Sequence, residues 1–147
     1  MPRTPEETFR KLLDLLLAKD MNAVADLWAQ DGTAEFPFAA GTSPARLAGR
    51  EAVRGHLAGY PGLLDVREIP AVTVHHTQRP DTIVAEFTAA GRTVRTGEPY
   101  RLDCIAVITV QGGLIAHYRD YWSPPATASA AGTLPDLLGA LHAAATR

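Results

Sequence analysis

The sequence lacks several features that mark specialised classes of protein. It contains one cysteine, Cys104, so the chain cannot form an internal disulfide, and the apolar run around this residue predicts a buried, inert thiol. No apolar run approaches the roughly 18 residues that a membrane span requires. The formal net charge is −2, which leaves no basic excess for binding nucleic acid. These absences argue against a disulfide scaffold, a membrane-spanning protein and a nucleic-acid-binding protein.

The composition is that of an ordinary folded domain. Apolar residues make up 46% of the chain and charged residues 20%, which is typical of globular proteins and not of disordered ones. A chain of 147 residues can bury roughly two-thirds of its unfolded surface in one core, so we expect a single domain. Residues 1–7, MPRTPEE, lack the basic-then-apolar order of a signal peptide, and we expect a cytoplasmic protein.

Helical spacing of apolar residues predicts three helices in the N-terminal half. The first covers residues 5–19, and the second covers residues 21–32 behind an aspartate that is placed to cap it. The third begins at Gly49, and its inward-facing stripe includes His56 and Tyr60. One histidine is therefore expected on the inner face of a helix.

Beyond residue 62 the apolar residues alternate as they do in strands, with Gly and Pro between the runs. A short strand-like run at 34–38 precedes the third helix, and the later strands are predicted at 71–76, 82–89, 100–110 and 114–122. Helices segregated from an antiparallel sheet predict an α+β domain over residues 1–124. Within the same single domain, residues 125–147 are predicted as a linker, rich in Ala, Pro and Ser from 123 to 132, followed by a short amphipathic helix from Leu134.

An aspartate stands near the end of the last predicted strand. Strand alternation places Asp120 on one face with Tyr118 and Trp122. A two-residue turn at residues 111–113 would bring Asp103 and Ile105 of the preceding strand to that face, whereas a three-residue turn would place them opposite. We favour the two-residue turn because it is the commonest hairpin connection and glycine supplies the positive φ that it requires.

On this register the two carboxylates would lie side by side in apolar surroundings. They could not both ionise cheaply, so one would keep its proton to a higher pH than a free aspartate. Such a pair offers a general acid and a general base together. The alternative is that Arg101 or Arg119 pairs with these aspartates in a solvated salt-bridge cluster at the end of the sheet.

Three stretches then carry a family resemblance. Residues 18–38, AKDMNAVADLWAQDGTAEFPF, resemble the second-helix region of ketosteroid isomerases and SnoaL-like polyketide cyclases. Residues 49–53, GREAV, resemble the opening of their third helix, and residues 113–122, GLIAHYRDYW, resemble their last strand. The sequence is thereby identified as similar to the nuclear transport factor 2-like superfamily over roughly residues 5–124.

This resemblance implies a cone in which three helices close over a curved, mostly antiparallel sheet with a pocket between them. Asp120 matches the aspartate that acts as general acid/base in SnoaL-like aldol cyclases and limonene-epoxide-type hydrolases. Trp122 matches a tryptophan of the pocket wall, and His56 falls where the isomerases carry a pocket aromatic. The backs of such sheets commonly pair, so we expect a homodimer through an outer face that carries the following residues: Tyr100, Cys104, Ala106, His117 and Tyr121.

The sequence also departs from its relatives. The isomerases carry their base aspartate at the position of Phe36, and their oxyanion tyrosine matches Leu12. The arginine and aspartate of the epoxide hydrolases map near residues 84–86, VAE, which lack the arginine. Residues 101–103, RLD, carry the right letters on the next strand, so a displaced constellation stays open.

The remaining candidates are a pocket glutamate and a hydrophobic wall. Glu86 alternates onto one strand face and is a candidate for the pocket. The expected wall, core first and substrate contact second, consists of the following residues: Trp28, Phe36, Phe38, Ile105, Tyr118 and Trp122. His75 and His76 are adjacent and point to opposite faces, so they cannot chelate one ion together. We expect no metal and no cofactor.

The leading hypothesis is a small cofactor-independent enzyme that acts on an apolar or polycyclic small molecule. Asp120 would move a proton, Asp103 would tune its pKa or donate a hydrogen bond, and His56 would help to orient the substrate. The reaction would be a cyclisation, an isomerisation or the activation of water against an epoxide. The alternative is a binding or accessory protein that keeps the pocket but performs no chemistry.

Overall fold

A computed structural model describes residues 1–146 as five helices, six strands and one 3-10 turn. The helices are α1 (Pro5–Leu17), α2 (Met21–Ala25), α3 (Arg50–Leu57), α4 (Pro124–Ala131) and α5 (Leu134–Ala145), and the turn is Tyr60–Gly62. The strands are β1 (Trp28–Glu35), β2 (Arg46–Ala48), β3 (Leu64–His76), β4 (Thr82–Thr93), β5 (Pro99–Gln111) and β6 (Leu114–Tyr121).

The strands form one sheet in the order β2-β1-β6-β5-β4-β3. β1 and β6 are parallel, and the other neighbouring strands are antiparallel. Side chains of α1, α2 and α3 pack on one face of this sheet around Phe9, Val24 and Val53. We call this the inner face and the opposite one the outer face. The predicted α+β fold, with three N-terminal helices on a mostly antiparallel sheet, is confirmed.

The first two helices begin where the sequence places them, but the second is shorter than predicted. Asp20 caps α2 by accepting a hydrogen bond from the backbone N–H of Ala23 at 3.0 Å. The chain then enters β1 at Trp28, so the predicted helix up to residue 32 is wrong. Parallel pairing of β1 with β6 overrides the helical spacing. It also needs Gly32, because a Cβ there would lie 2.6 Å from the carbonyl oxygen of Ile115.

Strand β3 is longer than the alternation of its residues predicts. It begins at Leu64, and its pairing with β4 shifts between Val66 and Glu68 and again between Glu68 and Ala71. Such bulges break the two-residue period and bend the sheet. Gly91 of β4 accommodates the bend, because a Cβ at that position would lie 1.9 Å from the carbonyl oxygen of Asp65.

The segment predicted as a linker is a helix. Ser123 caps α4 by accepting a hydrogen bond from the backbone N–H of Ala126 at 3.3 Å, and Gly132 ends it with a φ of 75°. Proline is tolerated in the first turn, and alanine is the best helix former, so the composition is compatible with a helix. The following helix is confirmed as α5. Arg147, the last residue of the predicted C-terminal segment, lies outside the described residues.

Two hydrophobic cores cover the inner face. The first core lies under α1, α2 and α3, and the second core lies under α4 and contains Leu64, Val66, Ala89, Tyr100, Leu102 and Ala130. Tyr60, in the turn after α3, packs against both cores. The second core explains why α4 is ordered: its buried alanines Ala130 and Ala131 close that end of the sheet. Within residues 1–146, no helix has the length and apolar character to cross a bilayer.

Replacing Gly91 by alanine is expected to destabilise the fold. The added Cβ overlaps backbone of β3 that cannot move without losing the bulge, so the free energy of unfolding should fall by about 2–3 kcal/mol. The matched control is Gly62→Ala, where no atom of residues 1–146, chain neighbours aside, lies within 4 Å of the added Cβ, and the change should stay within about 0.5 kcal/mol. Urea denaturation of both variants measures the difference, and equal effects would contradict the close approach of β3 and β4.

Candidate active site

The hairpin between β5 and β6 fixes the positions of the predicted acidic residues. Gln111 pairs with Leu114, so the turn consists of Gly112 and Gly113, with φ values of 61° and 80°. The predicted two-residue turn is thus correct. However, Val110 pairs with Ile115 while Thr109 pairs with His117. Ala116 is therefore an extra residue in β6, a β-bulge.

The bulge separates the two aspartates. Beyond it Asp120 pairs with Ala106, so even positions of β5 share a face with even positions of β6, and Asp103 lies on the opposite face. The predicted Asp103–Asp120 pair is wrong, because one inserted residue reverses the face of every side chain that follows. Asp103 instead accepts a hydrogen bond from the Thr88 hydroxyl at 2.6 Å on the outer face.

Three further predicted site residues lie away from Asp120, on the side of the outer face. Ile105 pairs there with Tyr121 and with Glu86. The Glu86 carboxylate contacts Nε2 of His75 at 2.7 Å. The exposed Phe38 packs edge-on against Tyr121, with ring centroids 5.3 Å apart. Alternation grouped Glu86 correctly with its strand neighbours, but it does not reveal which face of a sheet the helices cover.

The bulge also corrects the predicted composition of the outer face. His117 and Tyr121 lie there as predicted, whereas Tyr100, Cys104 and Ala106 lie on the inner face with Asp120. The outer face is consequently more polar than the sequence predicts. It carries an open groove of about 600 Å³, whose lining includes Phe38, Glu86, Thr88, Asp103, Ile105 and Tyr121.

Asp120 lies on the inner face, with Tyr118 and Trp122 on either side as predicted. It keeps some accessible surface, yet the surrounding protein desolvates the carboxylate and raises its pKa to about 7. In the described part of the chain no hydrogen bond or neighbouring charge offsets this shift. Near neutral pH the group is therefore present in both protonation states, so it can accept a proton and return it.

The titratable neighbours of Asp120 hold their protons. Burial raises the pKa of the Cys104 thiol to about 12, with smaller contributions from the charges of Asp120 and Asp103. Burial likewise raises the pKa of Tyr118 and of Tyr60, and the charge of Asp120 adds to both shifts. These groups are hydrogen-bond donors at neutral pH and not bases. Within this cluster Asp120 is thus the group whose pKa lies near neutrality.

Aromatic rings form one side of the site. The Phe36 ring lies 5.1 Å from the His56 ring and 6.4 Å from the Trp122 ring between centroids. His56 is an exposed residue, but its imidazole loses water against Phe36, which lowers its pKa and favours the neutral form. His56 thus lies at the margin of the site and not deep within it. Trp28 is 4% exposed and packs on Tyr118 at 5.5 Å as a core residue.

Sequence reasoning did not assign Tyr60, Tyr100 or Cys104 to the site. Tyr60 carried a usable signal, because it belongs to the same inward stripe as His56. Tyr100 and Cys104 carried none, because the sequence does not reveal the bulge in β6, and alternation without the bulge places both residues on the wrong face. No three His, Cys, Asp or Glu side chains of residues 1–146 come together as a metal site.

The helices over a mostly antiparallel sheet define a ketosteroid isomerase-like fold. The family described as the SnoaL-like domain matches residues 9–118. The chain belongs to this family, and the resemblance drawn from the sequence is confirmed.

Similar proteins agree with this assignment. The uncharacterised protein YesE of Bacillus subtilis (strain 168) is 38% identical over 118 residues, 80% of each chain. A Bacillus subtilis crystal structure, provisionally described as an isomerase, is 36% identical with a TM-score of 0.84 and covers 88% of this chain and 93% of its own. A provisional polyketide cyclase from Pseudomonas putida KT2440 has the same fold at 18% identity, with a TM-score of 0.73 over 88% and 98% of the two chains.

Replacing Asp120 by asparagine is expected to change how stability depends on pH. A carboxyl whose pKa rises on folding holds more protons in the native state, so the wild-type protein loses stability as pH rises from about 4 through about 7. The neutral amide of the variant has no such penalty. The stability of Asp120→Asn relative to wild type should therefore increase by on the order of 3 kcal/mol between pH 4 and pH 8, as measured by urea denaturation.

The control for this titration is Asp65→Asn. Hydrogen bonds from Lys19 and Arg67 lower the pKa of Asp65, so this carboxylate stabilises the native state above its unfolded pKa and the variant should lose stability relative to wild type as pH rises. Opposite slopes for the two variants are expected. A pH-independent difference for Asp120→Asn would show that Asp120 is not desolvated.

Proposed function

We propose that this protein is a cofactor-independent enzyme in which Asp120 moves a proton of an apolar small molecule. The observation that carries the proposal is the Asp120 carboxyl itself, which is desolvated to a pKa of about 7 and has no charged partner among residues 1–146. Structural ion pairs lower the pKa of an aspartate, whereas a poised general base needs a pKa close to the working pH. The environment of Asp120 gives its carboxyl a pKa of the second kind, close to the working pH.

In this mechanism the ionised Asp120 removes a proton from carbon next to a carbonyl group, or from a water molecule that attacks an epoxide. With a carbonyl substrate, the electron pair of the C–H bond forms the enolate and the charge moves to the carbonyl oxygen. With an epoxide, the electron pair left on the water oxygen forms the new C–O bond while the epoxide C–O bond breaks and its electron pair moves to the epoxide oxygen. Protonated Asp120 then returns the proton to carbon or oxygen, which completes an isomerisation, a cyclisation or the opening of the epoxide. His56 at the margin helps to orient the substrate, and Asp103 on the outer face takes no part.

The substrate class follows from the wall around the carboxyl. Phe36, Tyr118 and Trp122 offer apolar and aromatic surface, which suits a hydrophobic molecule with fused or planar rings. The fold shared with a provisional polyketide cyclase is consistent with such a substrate. Aromatic side chains of this kind bind a ligand mainly through the apolar area that they bury and through its shape. The ligand therefore needs few polar groups in defined positions.

The second candidate is a carrier or accessory protein that binds its ligand at the same site. One observation favours it: within residues 1–146 no hydrogen bond to Asp120 affects its pKa, whereas catalytic carboxylates are commonly oriented by such bonds. A carrier would bind its ligand on the aromatic wall and leave the ligand unchanged. Measurement of turnover and binding on the same variants separates the two functions.

The probe for general-base chemistry is 5-nitrobenzisoxazole, from which a base removes one carbon-bound proton as the N–O bond breaks to give a coloured phenoxide. Wild-type protein should accelerate this elimination, with kcat/KM rising through a pH of about 7 as Asp120 ionises. Asp120→Asn should lower kcat/KM by roughly 100-fold or more. Asp103→Asn, across the sheet, should retain the wild-type value.

Two outcomes would contradict the enzymatic proposal. If Asp120→Asn keeps the wild-type kcat/KM, the base is another group. If wild-type protein binds the probe saturably without accelerating its elimination, the carrier is the better description.

We also propose a homodimer through the outer face. Phe38 and Ile105 are 58% and 42% exposed there, and both line the outer groove. Apolar residues at the centre of a polar rim are the usual arrangement of such interfaces. The polar groups Glu86 and Asp103 form part of this rim.

Ile105→Lys tests the dimer. A charged side chain at the centre of the interface should shift the protein to monomer in sedimentation velocity, while Val94→Lys, at another exposed apolar position, should leave the dimer intact. A wild-type protein that sediments as a monomer at micromolar concentration would refute this assembly.

A further inference from the structure

Three polar side chains form a connected array on the outer face, across the sheet from Asp120. Thr33 and His117 are paired residues of the parallel strands β1 and β6, and Glu35 lies two residues beyond Thr33 on the same face. The Thr33 hydroxyl lies 2.5 Å from Nδ1 of His117, and Nε2 of the same ring lies 3.5 Å from the Glu35 carboxylate. We call these three residues the outer array. The outer groove is lined by other residues.

The contacts of the imidazole indicate which of its nitrogens carries the proton. The carboxylate of Glu35 can only accept a hydrogen bond, so Nε2 of His117 carries the hydrogen and donates towards it. Nδ1 is then the free acceptor, and the Thr33 hydroxyl donates to it. The other acceptor near this hydroxyl, the carbonyl oxygen of Ala116, lies 3.5 Å away. The proton of the Thr33 hydroxyl is therefore held by the imidazole.

The imidazole of His117 is largely neutral near pH 7, so it can act as a base. Burial lowers its pKa, the charge of Glu35 raises it, and the charges of Arg119 on β6 and Arg46 on β2 lower it further. Thr109, the neighbour of His117 on β5, carries no charge. The side chains of His117 and Glu35 are 25% and 35% exposed, so a small molecule can reach the outer array from solvent.

The order of these groups is that of an activated nucleophile. A hydroxyl is a weak nucleophile by itself and becomes reactive when an adjacent base takes its proton, while a third group orients that base. In the outer array the hydroxyl belongs to Thr33, the base is His117, and the orienting carboxylate is Glu35. Arg46 contacts this carboxylate at 3.5 Å, and Arg119 is paired with Glu35 in the sheet. Their positive charges favour the negative charge that develops on a carbonyl oxygen under attack.

We propose that the outer array is a second reactive site, in which Thr33 takes up the acyl group of small activated esters. The Thr33 oxygen bonds to the carbonyl carbon of the ester, and its proton passes to Nδ1 of His117. The bond between that carbon and the leaving oxygen breaks, and the leaving oxygen takes the proton from His117. Water attacks the acyl-threonine by the same proton route and releases the acid. Thr33 and His117 are then catalytic residues and Glu35 is a positioning residue, and no step depends on the proposed function of Asp120.

The probe for this site is p-nitrophenyl acetate, which releases p-nitrophenol as its acetyl group is transferred. Mass spectrometry of proteolytic peptides should locate an acetyl group on Thr33 of the wild-type protein at neutral pH. Thr33→Val, which keeps the shape of the side chain and removes the hydroxyl, should lose the first, fast release of p-nitrophenol, and Thr33→Ser should keep it. His117→Gln should slow the acetylation of Thr33 by roughly 100-fold.

The matched control is Thr109→Val, which removes a hydroxyl from the strand on the other side of His117. That hydroxyl lies 3.0 Å from the hydroxyl of Thr82, so the variant should acetylate Thr33 at the wild-type rate. Every reaction is repeated in the Ile105→Lys background, so that a dimer over the outer face cannot hide the outer array.

The positioning role of Glu35 has a separate readout, the pH dependence of the reaction. Acetylation of Thr33 should become faster with rising pH as the imidazole loses its proton. Because the charge of Glu35 raises the pKa of His117, Glu35→Gln should move the midpoint of this rise to lower pH and reduce the rate at its plateau. A loss of packing alone would reduce the rate without moving the midpoint.

Three results overturn the inference. If acetyl groups appear only on lysines and the N-terminus in both backgrounds, Thr33 is not a nucleophile. If folded His117→Gln acetylates Thr33 at the wild-type rate, the imidazole is not the base. If Glu35→Gln leaves the midpoint unchanged, Glu35 does not position the ring, and the outer array is only a structural link between β1 and β6.

Discussion

The extra residue Ala116 in β6 is the constraint on which the arrangement of the inner face depends. It lets Ile115 and Tyr118, three positions apart, both lie buried against the first core. Regular alternation would have sent one of them outward. The pairing of β1 with β6 also shifts register, between Trp28 and Thr33, so both neighbours of β6 accommodate the bulge. The imidazole Nδ1 of His117 and the hydroxyl of Thr33, 2.5 Å apart, link these strands on the outer face.

The same bulge turns Asp120 inward, and burial in that position raises the pKa of its carboxyl. An isolated carboxylate ionises with difficulty in apolar surroundings, and no cation of the described chain compensates for the burial of this one. Its neighbours on the inner face, Tyr118 and Trp122, belong to or pack against the first core, which holds the group in this position. A strained or desolvated group that is held by the rest of a stable structure is a common property of functional sites. The proposed general base is consistent with that pattern.

The periodicity of the apolar residues predicted most of the helices and strands correctly. It did not predict which side chains share a face of the sheet. The helices α1 and α3, the strands of the second half and the two-residue turn were predicted because each rests on local spacing or local turn chemistry. Trp28 was misassigned because its spacing fits a helix as well as a strand, and only pairing with β6 decides between them. Asp103 and Tyr100 were misassigned for another reason. A single inserted residue leaves the alternating pattern intact on both sides of the insertion but exchanges the two faces.

The resemblance to ketosteroid isomerases identified the fold but did not supply the chemistry. The positions that match the base and the oxyanion tyrosine of those enzymes hold Phe36 and Leu12, and both side chains belong to the first core. The polar groups of the inner face stand elsewhere, with Asp120 on β6 and Tyr60 in the turn after α3. Apolar residues at these two positions leave the inner face with fewer polar groups, and apolar surroundings raise the pKa of a carboxyl. Phe36 thus contributes to the candidate site in two ways: its ring packs with those of His56 and Trp122, and its lack of charge is consistent with Asp120 as the proposed base.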